Sequence, residues 1–418
     1  MSDGIRKEPV PQESEAARAQ QQEEDIRVRE AIKTAELENV REHHRQAKAP
    51  LVRMVKRDDI SRKKAVVIRL AAVVCALVTG GLLILALGHN PISVYAEMVV
   101  GSLGSTTVLQ ETIRNAIPLL ITSMAVSLAF RMRFWNIGAE GQILAGAVAA
   151  SYVALFLSES LGHVPSLLIM AVVAVVAGGL YGMIPAVFRA KWNTNETLFT
   201  LMLNYIALCF VKYLQNGPWR DPALNGFPKI AMFGSEARLP KLFGVNIGWI
   251  IALVLVVLVS IYLTRTKQGY EISVVGESSN TARYAGINVT KVMLRTMFIS
   301  GALAGLVGFI QVSGADFTLS ENTTGGVGFT AITVAWMSKL NPPVMLIVAF
   351  FIAMLTKGAG RIQTAFKIPA SAANVLIGII LFFLLGCEFF INYKLVWRKK
   401  QTAGAPPKET AKEAVNNG

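Results

Sequence analysis

Apolar runs of about 20 residues recur along this chain, and that recurrence restricts it to one kind of fold. A run of that length suits a helix crossing a bilayer, because a helix satisfies its own backbone where no water is present. Spans are predicted at 65–87, 113–131, 137–157, 164–188, 197–215, 247–264, 294–313, 326–339, 342–360 and 369–391. The expected fold is an all-α polytopic membrane protein of about ten transmembrane helices, with discontinuous or re-entrant segments and two pseudo-repeated halves. Charge content agrees: 16% of the 418 residues are Asp, Glu, Lys or Arg, against about 25% in soluble domains.

The net charge of +14 raises the question of a nucleic-acid partner. Residues 1–64 carry 15 basic and 13 acidic side chains, which leaves 26 against 14 in residues 65–418. The excess therefore lies in the membrane part, much of it in loops, where positive-inside topology accounts for it and a nucleic acid is not needed. Lys56, Arg57, Arg62, Lys63 and Lys64 precede the first span and are expected to hold the N-terminus in the cytoplasm. An even number of spans returns the tail to the same side. Arg189, Lys191, Arg265 and Lys267 fit that count, whereas Lys357, Arg361 and Lys367 would be external and fit badly. The span at 326–339 is also short and led by Gly325, Gly326 and Gly328, so it reads either as a half-helix or as an error of one in the count.

Three regions are expected: a polar cytoplasmic arm over 1–64, helical or disordered; a transmembrane domain over 65–395; and a cytoplasmic tail over 396–418. The arm has no sustained apolar heptad for a coiled coil, and no cleavable signal peptide is expected. Adjacent His43 and His44 do not share a helix face and suggest no metal site. Cys75, Cys209 and Cys387 fall inside apolar spans and read as packing residues rather than ligands or disulfides. His89 and His163 lie in external loops without a nucleophile motif. The longest external loop, 216–246, is rich in proline and reads as a folded surface loop, a docking surface or a lid.

FWNIGAEGQ, Phe134–Gln142, places Asn136, Glu140 and Gln142 beside two glycines between apolar runs. A carboxylate at such depth faces protein or water rather than lipid, and glycines that break the helix there suggest backbone lining a cavity. Glu140 is expected to cap the following helix or pair with Arg131 or Arg133, with ion coupling as the sharper alternative. GGVGFTAITVAWMSKLNP in the second half echoes FWNIGAEGQILAGAVAA, each joining a glycine cluster to a shortened apolar run. Between spans six and seven, Gln268–Asn288 is polar and rich in small residues. Ser278 or Ser279 could cap a short helix there, which Gly286 would end.

FWNIGAEGQ, NTNETLFTLMLNYIA, GYEISVVGESSNTARYAGI and SGALAGLVGFIQVSG together resemble the membrane permease of a bacterial ABC importer, most nearly the nucleoside type, in a superfamily with simple-sugar and branched-chain amino-acid permeases. The resemblance covers about residues 65–395; Trp135 and the long arm depart from it. It implies a multi-pass protein of the bacterial cell membrane, a second permease as heterodimer partner, separate ABC ATP-binding subunits that carry ATP and Mg, and an extracytoplasmic substrate-binding lipoprotein. It implies that Gly276, Glu277, Ala282, Arg283, Tyr284, Ala285, Gly286 and Ile287 form the element that couples to the ATPase. The sequence lacks GxxxxGK[ST], in keeping with a transport subunit that is not itself an enzyme and holds no cofactor or metal.

A nucleoside offers hydroxyls, ring nitrogens and a flat apolar face, so its path needs neutral hydrogen-bonding groups and aromatic surfaces. Phe134, Trp135, Asn136, Glu140, Gln142, Asn195, Glu196, Asn204 and Tyr205 are the expected path residues, with Asn193 and Thr194 in the same polar cluster. Each amide could equally join two helices. Simple sugars would need a similar path. Two different functions also fit the sequence: an ion-coupled secondary transporter using Glu140, and a membrane scaffold that recruits a partner through the arm.

Overall fold

The computed structural model describes residues 52–56, 61–222, 226 and 228–397; most of the expected arm and tail, with His43 and His44, lies outside them. The chain divides into two compact units, Ser61–Phe389 and a second formed by its two ends. In the second, β1 (Val52–Lys56) pairs antiparallel with β4 (Tyr393–Trp397), Val52 opposite Trp397.

The larger unit is helical: α1 (Arg62–Ala86), α2 (Pro91–Leu103), α3 (Thr106–Arg131), α4 (Ala139–Phe156), α5 (His163–Trp192), α6 (Glu196–Asn216), α7 (Gly248–Arg265), α8 (Lys267–Glu277), α9 (Ser279–Tyr284), α10 (Val289–Gln311), α11 (Val327–Met337), α12 (Pro342–Ala365) and α13 (Ala370–Asn392). Among the described residues nine of these helices are long and apolar enough to cross a membrane. α2 and α11 are apolar but shorter. The loop between α6 and α7 carries a small hairpin of β2 (Lys241–Leu242) and β3 (Val245–Asn246).

A tenth crossing is made by a broken segment. Gln110, near the start of α3, donates to Phe243 O in the α6–α7 loop, and Arg131 at its other end reaches Leu340 O at 3.5 Å. Phe317 O accepts from Phe233 N in that same loop. Residues 317–340 thus traverse the bundle alongside α3, first as non-helical chain and then as α11. The span predicted at 326–339 is accordingly a half-helix, which with the nine long helices makes ten passes among the described residues. α2 was absent from the predicted set because 13 residues fall short of a span.

Lys357 and Arg361, the misfit charges, pair with Glu111 and Glu97 on α3 and α2. Both pairs are at least partly exposed, so these two charges are matched by carboxylates rather than left as free loop cations, while Lys367 is exposed. All three cysteines are free; Cys387 is buried as a packing residue would be, whereas Cys75 and Cys209 are exposed, which corrects the packing reading for those two.

The most intimate packing lies among α4, α5 and α10. With lipid as the alternative solvent, helices associate through close backbone approach, which small residues permit. Gly178 and Gly182 on α5 face Gly301 and Gly305 on α10, two G-x-x-x-G pairs in register. A Cβ on Gly182 would lie 2.8 Å from Met297 O, and one on Gly305 would overlap Ala174 O. Gly146 and Gly308 continue the seam between α4 and α10. A separate cluster around Ala76, Met98, Leu355 and Leu376 joins α1, α2, α12 and α13.

Candidate functional site

The non-helical backbone between α3 and α4 has polar groups that cannot be left unpaired in a membrane. FWNIGAEGQ supplies part of the answer: Asn136 Oδ1 accepts from Gly138 N at 2.9 Å, and the amides of Asn136 and Gln142 bond reciprocally at 3.3 and 3.4 Å. α6 supplies the rest. Thr200 Oγ1 accepts from Ile137 N, Asn204 Nδ2 donates to Ile137 O at 2.9 Å, and Asn204 Oδ1 accepts from Gly141 N at 2.8 Å. Thr200 and Asn204 are four residues apart and so share one helix face. The T-x-x-x-N spacing is legible in the sequence, yet only Asn204 is among the expected path residues.

The two echoing segments meet. Gly325 and Gly326 take φ of +54° and +79°, which lets the chain turn into α11. The N-terminus of α11 then abuts that of α4, where a Cβ on Gly328 would sit 2.7 Å from Glu140 N. Two helix N-termini, each with partial positive charge and unpaired N–H groups, therefore converge. Glu140 is 6% exposed, sits in the first turn of α4 and accepts Gly328 N–H at 2.7 Å. One carboxylate thus counters both dipoles. This corrects the expected pairing with Arg131 or Arg133: Arg131 is directed to Leu340 O and Arg133 is exposed.

The remaining expected path residues are distributed around this junction. Phe134 is buried; Trp135 is half-exposed and stacks on Trp336 of α11 at 5.8 Å. Trp336, Thr200 and Gly328 were not among the expected residues. Asn195 is exposed and caps α6 through Thr197 N and Leu198 N. Glu196 is buried and pairs with Arg189 at 3.1 Å, tying α5 to α6. Tyr205 faces outward.

The segment expected to couple to an ATPase is built from three caps. Thr266 Oγ1 accepts from Gly269 N, Ser278 Oγ from Thr281 N, and Asn288 Oδ1 from Lys291 N. Gly286, at φ +75°, closes α9. Gly276 presses on the end of α3, where a Cβ would overlap Arg131 O. Ala282 is buried, while Arg283, Ala285 and Gly286 are exposed and Tyr284 is 94% exposed. Glu277 is exposed and Ile287 partly buried. A cavity of about 330 Å³ lies between Gly276–Ser279, Arg133–Phe134 and the Arg189–Glu196 pair, so the surface segment and the break share one wall.

A many-span bundle with an interrupted centre, backed by a capped surface helix, has the architecture of a transport permease. Residues 108–385 match the family described as branched-chain amino acid transport system / permease component, and the chain belongs to that family. It is similar to the glucose ABC transporter permease protein of Haloferax volcanii, 34% identical over 336 residues, 77% of this chain and 88% of that one. The nucleoside ABC transporter permease protein of Lactococcus lactis subsp. cremoris is 30% identical over 368 residues, 85% of this chain and 100% of the relative. The guanosine ABC transporter permease protein of Bacillus subtilis is 30% identical over 356 residues, 82% of this chain and 99% of the relative. The protein is thus a multi-pass permease component of an ABC importer, a transport subunit served by a separate ATPase.

Proposed function

We propose that this permease carries nucleosides, or closely related neutral polyhydroxylated solutes, inward along a path bordered by the α4–α11 junction and α6. The observation that carries the reading is the junction itself. Its converging dipoles are already countered by Glu140, so it offers an anion no uncompensated positive site, and the groups around it are neutral amides, hydroxyls and aromatic rings. Two relatives matched over nearly their whole length bear the names of nucleoside and guanosine permeases, which points the same way. The glucose-named relative keeps a sugar as the second reading.

In the cycle we infer, ATP binding in the partner draws its two copies together and moves α9 through the exposed Arg283 and Tyr284. Gly276 passes that displacement to the end of α3 and so to the break. The path then opens on alternate sides. A second permease and a solute-delivering extracytoplasmic protein complete the assembly. Both termini face the cytoplasm in this scheme. Arg69 near the start of α1 pairs with Glu388 near the end of α13 at 2.8 Å, and Lys339 joins them at 3.0 Å. That face also carries Arg189, Lys191, Arg265 and Lys267.

The test is reconstitution with the co-purified ATPase subunit in proteoliposomes. ATP-dependent accumulation of adenosine or guanosine, unaffected by glucose, supports the reading. Accumulation of glucose alone replaces it with the sugar reading.

A further inference from the structure

The end of the bundle opposite α8 and α9 holds a cavity of about 960 Å³ between the end of α6, residues 228–232 of the α6–α7 loop and residues 318–322. It reaches the upper part of the roughly 300–1,000 Å³ range of small-molecule sites. Its fixed charges balance: Lys212 and Lys229 stand against Asp221 and Glu321, and Lys212 pairs with Glu321 at 3.0 Å. A balanced site gives a free phosphate no net attraction, which favours a neutral solute. The apolar wall is chiefly the exposed Met232, with Ile230 and Leu319 buried behind it, while Gln215, Ser320 and Asn322 offer amide and hydroxyl groups.

Gln215 adds a second observation. Its Nε2 donates to Pro228 O at 2.9 Å, which fixes the amide's orientation, and its buried Oε1 has no donor among the described residues. A buried acceptor without a donor costs about 1–3 kcal/mol, and a solute hydroxyl or ring N–H would satisfy it once the seated solute displaces the wall that covers it. The cavity is also joined to the junction along the chain. α10 ends in a π turn, Val312–Asp316, whose Ser313 and Gly314 carbonyls accept from Leu239 N and Asn246 Nδ2 of the α6–α7 loop. Thr318 Oγ1 donates to Ile230 O at 3.0 Å. From there the chain runs through 319–326 into the N-terminus of α11 at Glu140.

We propose that this cavity is an outer solute subsite, separate from the junction, that holds a nucleoside with its base on the apolar wall and its ribose toward Gln215 and Ser320. Because residues 318–322 lead directly into α11, a seated solute bears on the junction before it enters the path. The subsite rests on the nucleoside reading of the preceding section.

The experiment is photolabelling of the complete importer in nanodiscs with 8-azidoadenosine, followed by peptide mapping and parallel ATP-driven adenosine uptake. The expected result is label in residues 212–222, 228–232 or 318–323, displaced by excess adenosine. Gln215→Leu should lower it about fivefold, the equivalent of one hydrogen bond. Asn322→Leu, at an exposed rim position, should lower it in protein that folds normally. Label confined to 134–142 or 198–205 with uptake intact overturns the subsite alone, as does label unchanged in both variants. Absence of both uptake and label overturns the subsite together with the substrate class.

Discussion

The glycine seam of α4, α5 and α10 and the junction of α4 with α11 hold membrane helices together by opposite means. In the seam, backbones touch because side chains are missing, and no polar side chain is required. At the junction, backbones are broken and are held by directed hydrogen bonds to Thr200, Asn204, Asn136 and Glu140 and between Asn136 and Gln142, beside the Trp135–Trp336 stack. A seam of pure shape resists relative motion, because any sliding brings carbonyls into overlap. A hydrogen-bonded junction can exchange partners at little net cost. The first is built as a rigid body and the second as the place where that body can yield. α4 belongs to both, so a displacement at the junction is referred to a fixed frame.

The sharpest way to break this comparison is to put a side chain into the seam. Gly305→Val should destabilise the protein by about 3 kcal/mol or more, because backbone atoms and not flexible side chains occupy the space. Failure to recover a monodisperse protein, or a large drop in its thermal midpoint, is the expected outcome. Near-normal stability would show that the seam opens freely. At the junction the effect should be smaller and should depend on chemistry. Glu140→Ala leaves Gly328 N–H buried and unpaired, a loss of about 1–3 kcal/mol. Glu140→Gln keeps an acceptor and loses only the charge, so its thermal midpoint should fall between wild type and the alanine variant, by about 1 kcal/mol.

Arg283→Glu tests how the junction is reached. Uptake should fall about tenfold, an effect worth roughly 1.4 kcal/mol, with no change in melting, since Arg283 is exposed and touches no part of the core. Unchanged uptake would remove α9 from the coupling route. Smallest of all, Lys357→Met should shift stability by at most about 1 kcal/mol, because its pairing with Glu111 is partly exposed. A thermal shift assay in one detergent ranks the four stability variants, and uptake reads Arg283→Glu.

The difference between the two regions also explains what can be read from the sequence. Apolar runs of membrane length give nine of the ten crossings, because that signal is local. The half-helix at Val327–Met337 shows itself only as a defect: a short run led by glycines beside a topology that does not balance. Gly325, Gly326 and Gly328 are the actual signal, but their partner lies 188 residues away at Glu140, and no local pattern reports a contact across that distance. For the same reason, proximity in sequence points Glu140 at Arg131 and Arg133 instead. The ends of α9 are local and therefore legible, with Ser278 as one of two expected caps and Gly286 as the stop. The seam is equally local, since G-x-x-x-G occurs at Gly178–Gly182 and Gly301–Gly305, but a reading by apolar length is blind to spacing within the spans.

The central claim is that Glu140 is a fixed counter-charge for two helix ends, while the energy for transport comes from the partner ATPase. Uptake by Glu140→Gln in proteoliposomes containing the whole importer, measured with ATP and separately with imposed proton and sodium gradients, tests it most directly. The account predicts a folded variant with a lowered melting temperature, ATP-driven uptake that persists, and no response to either gradient. Gradient-driven uptake by the permease alone, abolished in Glu140→Gln while its melting temperature stays unchanged, would contradict it.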